Sequence, residues 1–184
     1  MKKRVLVYPC GTEMALEIFR ALKYSTHYEL YGGSSTYDHG RFVYKNHIDN
    51  LPFITDNSTE NEIAAFNEMI AEYKFDFIYP AMDGVLTVFS KYREALTPTV
   101  IAPSYETAKI TRSKRLTYDL FKDIIPTPTV YRNADEINHY PIFIKPAIGQ
   151  GSVGTLRVND RTHLLSLDIF NVNSMTRGGG VVLR

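Results

Sequence analysis

Lys145 and Pro146 end a short apolar run, and Gly149, Gly151 and Gly154 follow almost at once in the stretch Tyr-Pro-Ile-Phe-Ile-Lys-Pro-Ala-Ile-Gly-Gln-Gly-Ser-Val-Gly-Thr. Glycines let a backbone approach a ligand with no Cβ in the way, and successive amide N–H groups with a fixed cation beside them suit phosphate oxygens. A Walker loop is excluded, because there the lysine follows the glycines and a helix comes next. A dinucleotide turn is excluded too. The residues Gly149-Gln150-Gly151-Ser152-Val153-Gly154 match Gly-x-Gly-x-x-Gly, yet the sequence after them reads as a strand and supplies no helix N-terminus for a pyrophosphate. What remains is a hairpin tip able to close over phosphates, with Lys145 fixed on the strand before it. Taken alone, the same loop also fits a tight hairpin whose glycines serve only positive φ and whose lysine faces solvent.

The elements that must position this loop alternate from the start. Residues 5–8 form a continuous apolar run, as in a strand covered on both faces, and Gly11-Thr12 opens a helix with Met14, Ile18 and Leu22 on one face. A strand at Tyr28–Gly33 follows. A helix then starts in the cap region Ser58-Thr59-Glu60 and carries Ile63, Phe66, Met69 and Ile70, before strand-like residues 75–80, a further helix from Asp83 and a short strand within residues 97–103. This alternation predicts a parallel sheet with helices on both faces. After Pro103 the pattern changes to a polar helical stretch over residues 104–124, a Pro126-Thr-Pro128 break, a short helix near Ala134, the two strands of the hairpin, and a helix from Asp160 to about Phe170. The expected fold class is therefore α/β: a Rossmann-like parallel sheet over residues 1–103, then a small α+β subdomain over residues 104–184.

Composition narrows the function classes. The 184 residues are 44% hydrophobic, enough for genuine cores, and 21 basic against 20 acidic residues leave a net charge of +1 with no basic block, so nucleic acid is not an expected partner. The apolar run at the N-terminus stops after about four residues, short of a signal peptide, and no run approaches the roughly 18 residues of a membrane span. The expected location is the cytoplasm. The single cysteine, Cys10, excludes an internal disulfide and reads as a buried thiol. His27, His39, His47, His139 and His163 show no metal-ligand spacing and are expected on loops or the surface.

The loop, the preceding stretch Ser113-Lys114-Arg115 through Ile125-Pro126-Thr127-Pro128, and the two strand-to-helix units at residues 5–23 and 78–90 occur in the order seen in the ATP-grasp superfamily. The chain resembles most the carbamoyl-phosphate-synthase-like members that carry a preceding Rossmann-like domain. The resemblance implies that Lys145 and Lys114 contact the nucleotide and that Gly149, Gln150, Gly151, Ser152, Val153 and Gly154 form a flap over the β and γ phosphates. Lys114 also reads as a solvated helix lysine, with Arg112 and Arg115 as neighbours able to take its role. The implied activity is ligation: ATP phosphorylates a small-molecule carboxylate, and an amine or related nucleophile attacks the acyl phosphate. The implied cofactors are ATP and Mg²⁺.

In the family the acidic and Asn ligands of Mg²⁺ lie in a second half, beyond the region resembled here. The expectation is that residues 1–184 hold no metal ligand, bind ATP, do not turn it over alone, and are completed by a C-terminal half or a complementing C-terminal chain, with a homodimer as the other candidate partner. No catalytic residue is assigned. In open α/β sheets ligands sit beyond the carboxyl ends of the strands, which makes Glu13 and Asp83 candidates for binding an amine or hydroxyl of the acceptor. Each also reads as complementing a helix N-terminus. Two other classes stay open: a non-catalytic nucleotide-binding or regulatory module, and a Rossmann-type oxidoreductase using the turn at Gly11.

Overall fold

The first sheet grows around a strand with no solvent-facing side. In the computed structural model, which describes residues 1–131, 134–149, 151–167 and 180–183, strand β1 (Lys3–Tyr8) buries Val5, Leu6, Val7 and Tyr8 in succession. It pairs in parallel with β2 (Tyr28–Gly33) on one side and β4 (Phe77–Pro80) on the other. β3 (Asn46–Ile48) and β5 (Thr99–Val100) complete a parallel sheet of order β3-β2-β1-β4-β5. Alternate residues of β1 face opposite ways. Leu6 and Tyr8 pack with Ile63, Phe66 and Ile70 of helix α2 (Glu60–Ile70) and with Val85, Val88 and Phe89 of α3 (Asp83–Lys91). Val5 and Val7 pack with Ala15 of α1 (Glu13–Leu22), so helices cover both faces.

Local chemistry starts α1 and α2 where the sequence reading puts them. The Thr12 hydroxyl accepts from Ala15 N at 3.1 Å, and Thr59 and Glu62 form a reciprocal capping box. Two differences concern strands. β3 is unforeseen from sequence, since two of its three residues are Asn and His and show no apolar alternation. β5 keeps only two residues of the expected stretch, because Pro98 and Pro103 lack the N–H a ladder needs.

Two compact units make up the chain, residues 1–108 and 109–184. α4 (Tyr105–Arg112) spans the division. The polar stretch expected as one helical region is two helices: Ser113 is buried, and its hydroxyl accepts from Leu116 N at 3.4 Å to begin α5 (Lys114–Phe121). In the second unit β6 (Ile142–Pro146) is central, antiparallel to β7 (Leu156–Val158) on one side and to β8 (Gly180–Leu183) on the other. The short helix expected near Ala134 is a 3-10 turn, Ala134–Glu136. Asp160 accepts from His163 N at 2.8 Å to cap α6 (Arg161–Ser166); the expected end of that helix lies outside the described residues. The core here is small: Tyr131, Ile137, Ile142, Ile144, Val158 and Leu164. Among the described residues no helix is long and apolar enough to cross a membrane.

Candidate phosphate site and the strand ends

Period two divides β6 into a structural face and an open one. Ile142 and Ile144 are buried in the core, while Phe143 and Lys145 project from the opposite side. That open side forms the floor of a cavity of about 380 Å³, lined by Lys114, Phe143, Lys145, Pro146 and the loop residues Gly149, Gly151, Ser152, Val153 and Thr155. Both lysines therefore face the space under the glycine loop. Arg112 and Arg115 do not line it.

Helix α5 is tied to the loop at its first residue. Lys114 N donates to Ala147 O at 2.9 Å, and Lys114 Nζ donates to Gly149 O at 3.3 Å. The N-terminal end of α5, with its partial positive charge, thus lies beside the two lysines and adds to a field that suits an anion. The loop itself turns through left-handed backbone at Gly151 (φ 60°), Ser152 (φ 58°) and Gly154 (φ 73°). A side chain at Gly154 meets a second obstacle, since its Cβ would lie 2.9 Å from Pro146 Cγ. At Gly151 nothing lies within 4 Å, so conformation alone demands glycine there.

Of the residues read from sequence, Lys114, Lys145, Gly149, Gly151, Ser152 and Val153 meet at this cavity. Gly154 shapes the loop without lining the space, and Gln150 lies outside the described residues. Sequence reasoning missed Phe143, whose place two residues before Lys145 on one strand was the available signal. The cavity suits phosphate: it offers two ammonium groups and a helix start. It does not suit Mg²⁺, because no carboxylate is among the described residues that line it.

Glu13 and Asp83 lie elsewhere, at the carboxyl ends of β1 and β4, where the strand order reverses direction. Both side chains are exposed. Thr12 Oγ1 donates to Ala81 O at 2.8 Å and ties the two turns together. The start of α3 is already met by a carboxylate, for a Cβ on Gly84 would lie 3.3 Å from the Asp56 oxygens. The space before Gly11 is likewise filled by Asp38, whose Cγ would lie 2.3 Å from a Cβ there, so a carboxylate stands where a dinucleotide pyrophosphate would have to sit. Cys10 is fully buried, and burial pushes its thiol up to about 11.

Neither the protein-family models nor the curated proteins contain a match to this sequence. Solved structures do match. The biotin carboxylase domain of 2-oxoglutarate carboxylase from Hydrogenobacter thermophilus, solved as a dimer with MgADP, ADP and bicarbonate, aligns with a TM-score of 0.71 at 19% identity, over 100% of this chain and 44% of that one. L-amino acid ligase from Bacillus licheniformis aligns with a TM-score of 0.65 at 20% identity, over 99% of this chain and 45% of that one. N5-carboxyaminoimidazole ribonucleotide synthetase from Thermotoga maritima gives 0.61 at 15%, over 100% and 46%. At these identities the likeness is one of fold: the chain has the N-terminal fold of ATP-grasp enzymes and spans less than half the length of each relative.

Proposed function

We propose that this chain is the ATP-binding portion of an ATP-grasp ligase, carbamoyl-phosphate-synthase-like, that activates a small-molecule carboxylate as an acyl phosphate for attack by an amine or related nucleophile. Residues 1–103 are the preceding Rossmann-like domain and residues 104–184 the first grasp subdomain. One observation carries the reading: Lys114 and Lys145, distant in sequence, line a single cavity with the glycine loop. Two ammonium groups and the loop backbone oppose the charge of a nucleotide's phosphates, and each charge-assisted hydrogen bond contributes roughly 1.5–3 kcal/mol. When bound, Mg²⁺ would neutralise phosphate charge further, with ligands drawn from outside the described cavity wall. A C-terminal half or a complementing chain would supply them, in the cytoplasm. Glu13 and Asp83 are the proposed contacts to the acceptor.

A second reading, a non-catalytic nucleotide-binding module, uses the same two lysines and loop to hold the phosphates and differs in releasing no ADP. Calorimetry with ATP and coupled detection of ADP separate these readings from each other and from neither. The chain alone should bind ATP in the high micromolar to millimolar range and release no ADP with carboxylates. Lys145→Ala should weaken binding at least about tenfold. Addition of a C-terminal half that produces carboxylate-dependent ADP release supports the ligase. Unchanged ATP affinity in a folded Lys145→Ala variant, or turnover by residues 1–184 alone, would sink the assignment.

A further inference from the structure

Two turns at the carboxyl ends of β1 and β2, together with the neighbouring strand β3, bring together residues far apart in sequence. Cys10 follows β1, Ser34 and Asp38 follow β2, and His47 lies in β3. A sulfur, a carboxylate oxygen and a ring nitrogen from Cys10, Asp38 and His47 all lie within 4.8 Å of one another. We propose that these three residues bind a divalent transition-metal ion of the zinc class, through the Cys10 thiolate, an Asp38 oxygen and His47 Nε2, with Ser34 Oγ or a water as fourth ligand.

Proton bookkeeping in the cluster supplies an independent argument. Ser34 is fully buried and gives its one hydroxyl proton to Asp38 Oδ2 at 2.8 Å. Its lone pairs then face Cys10 Sγ at 3.0 Å and His47 Nε2 at 3.3 Å, and both of those atoms must be protonated to donate. A neutral imidazole protonated at Nε2 has a bare Nδ1. That atom is buried without a hydrogen-bond partner, in a side chain only 10% exposed, and its lone pair faces the Asp49 carboxylate at 3.5 Å. Two acceptors confront each other. Without a metal ion the ring must either keep this mismatch or carry a second proton and pair with Asp49 as an imidazolium.

A metal ion on Nε2 removes the mismatch while the ring keeps a single proton. Coordination there moves the ring proton to Nδ1, which then donates to Asp49, itself held from the other side by Arg41 Nη2 at 3.5 Å. A ligating histidine backed by a carboxylate is the usual second layer of a zinc site. The thiol proton leaves to solvent, and thiolate plus carboxylate balance the two positive charges. Zinc bonds of about 2.0–2.3 Å place tetrahedral ligand atoms roughly 3.3–3.6 Å apart, so from separations of up to 4.8 Å the three side chains need close by up to about 1.5 Å. The surrounding backbone is shaped for this approach: a Cβ on Gly40 would lie 2.4 Å from Cys10 Sγ, and one on Gly11 would run into Asp38.

Titration of the full chain with Co²⁺, followed by competition with Zn²⁺, tests the site. The expected result is one Co²⁺ per chain with a near-ultraviolet thiolate-to-cobalt absorption band that Zn²⁺ abolishes. Because Cys10 is the chain's single cysteine, the band in the unaltered protein already reports it, even if Cys10→Ser does not fold. Asp49→Asn, outside the ligand set, should lower affinity about 10–100-fold, and His47→Gln by at least as much. Lys145→Ala should bind Co²⁺ as the unaltered chain does, which keeps this test separate from that of the nucleotide cavity. No thiolate band in the unaltered chain, or full affinity in a folded His47→Gln variant, overturns the proposal.

Discussion

Strands β1 and β6 are each the centre or near-centre of a sheet, but they bury their residues differently. β1 is covered on both faces, so every side chain from Val5 to Tyr8 is committed to packing and chemistry can occur only beyond the strand's end. β6 buries one face and leaves Phe143 and Lys145 on a cavity wall. A sheet with one free face can carry functional groups along a central strand; a central strand covered on both faces leaves chemistry to the turns beyond it and to the edge strands. The candidate sites follow this division, with the lysines on or beside β6, Cys10, Glu13, Asp38 and Asp83 on the turns of the parallel sheet, and His47 on its edge strand β3.

The comparison breaks first at its larger core. Phe66 is fully buried and meets the Tyr8 and Phe89 rings with centroids at 4.9 and 5.2 Å. Phe66→Ala should cost about 3–5 kcal/mol, read by urea denaturation, and a loss under half of that would show the parallel sheet to be less tightly covered than its burial implies.

The two faces of β6 offer the sharper contrast. Ile144→Ala should cost about 2–5 kcal/mol, whereas Phe143→Ala, on the open face, should change stability by less than about 1 kcal/mol. Equal losses at the two positions would mean that the cavity floor is part of the core.

Within the loop, the glycines should separate by the same measurement. Gly154→Ala combines left-handed backbone with the approach to Pro146 and should destabilise by about 1–3 kcal/mol. Gly149→Ala, whose Cβ would sit at an ordinary 3.5 Å from Pro146, should be nearly neutral. A reversed order would refute the loop geometry.

The smallest effect concerns acid. Asp76 accepts from Lys3 Nζ at 2.6 Å and from Arg4 N at 2.8 Å, and these bonds hold its carboxyl below the usual range. A depressed folded-state value stabilises the fold at pH above the unfolded value near 3.9, and the contribution fades as pH falls through the folded value. Asp76→Asn should therefore flatten the acid limb of stability against pH and leave the second unit's sheet unaffected. An acid limb identical to that of the unaltered chain would count against the bond pair.

Helix starts were legible because a cap is a local event: Thr12, Thr59 and Asp160 each bond a backbone N–H three residues on. Lys145 and its loop were legible for a similar reason, since lysine, proline and glycines fall within one hairpin. β3 was not, because Asn46 and His47 carry no apolar period and join the sheet only through pairing with Tyr31 and Gly32. The break at Ser113 depends on that hydroxyl being buried at the start of α5, which a polar stretch does not announce.

Periodicity and punctuation in the sequence determined the alternation of strands and helices, the change of character after Pro103 and the lysine-glycine hairpin, because side-chain direction repeats every 2 or 3.6 residues whatever the partner. Tertiary structure alone decided the rest. It selected Lys114 over Arg112 and Arg115 at the cavity, distinguished the strained Gly154 from the ordinary Gly149, and drew Cys10, Asp38 and His47 around Ser34. Each of these depends on which strands become neighbours, and parallel pairing joins residues whose separation along the chain leaves no periodic trace.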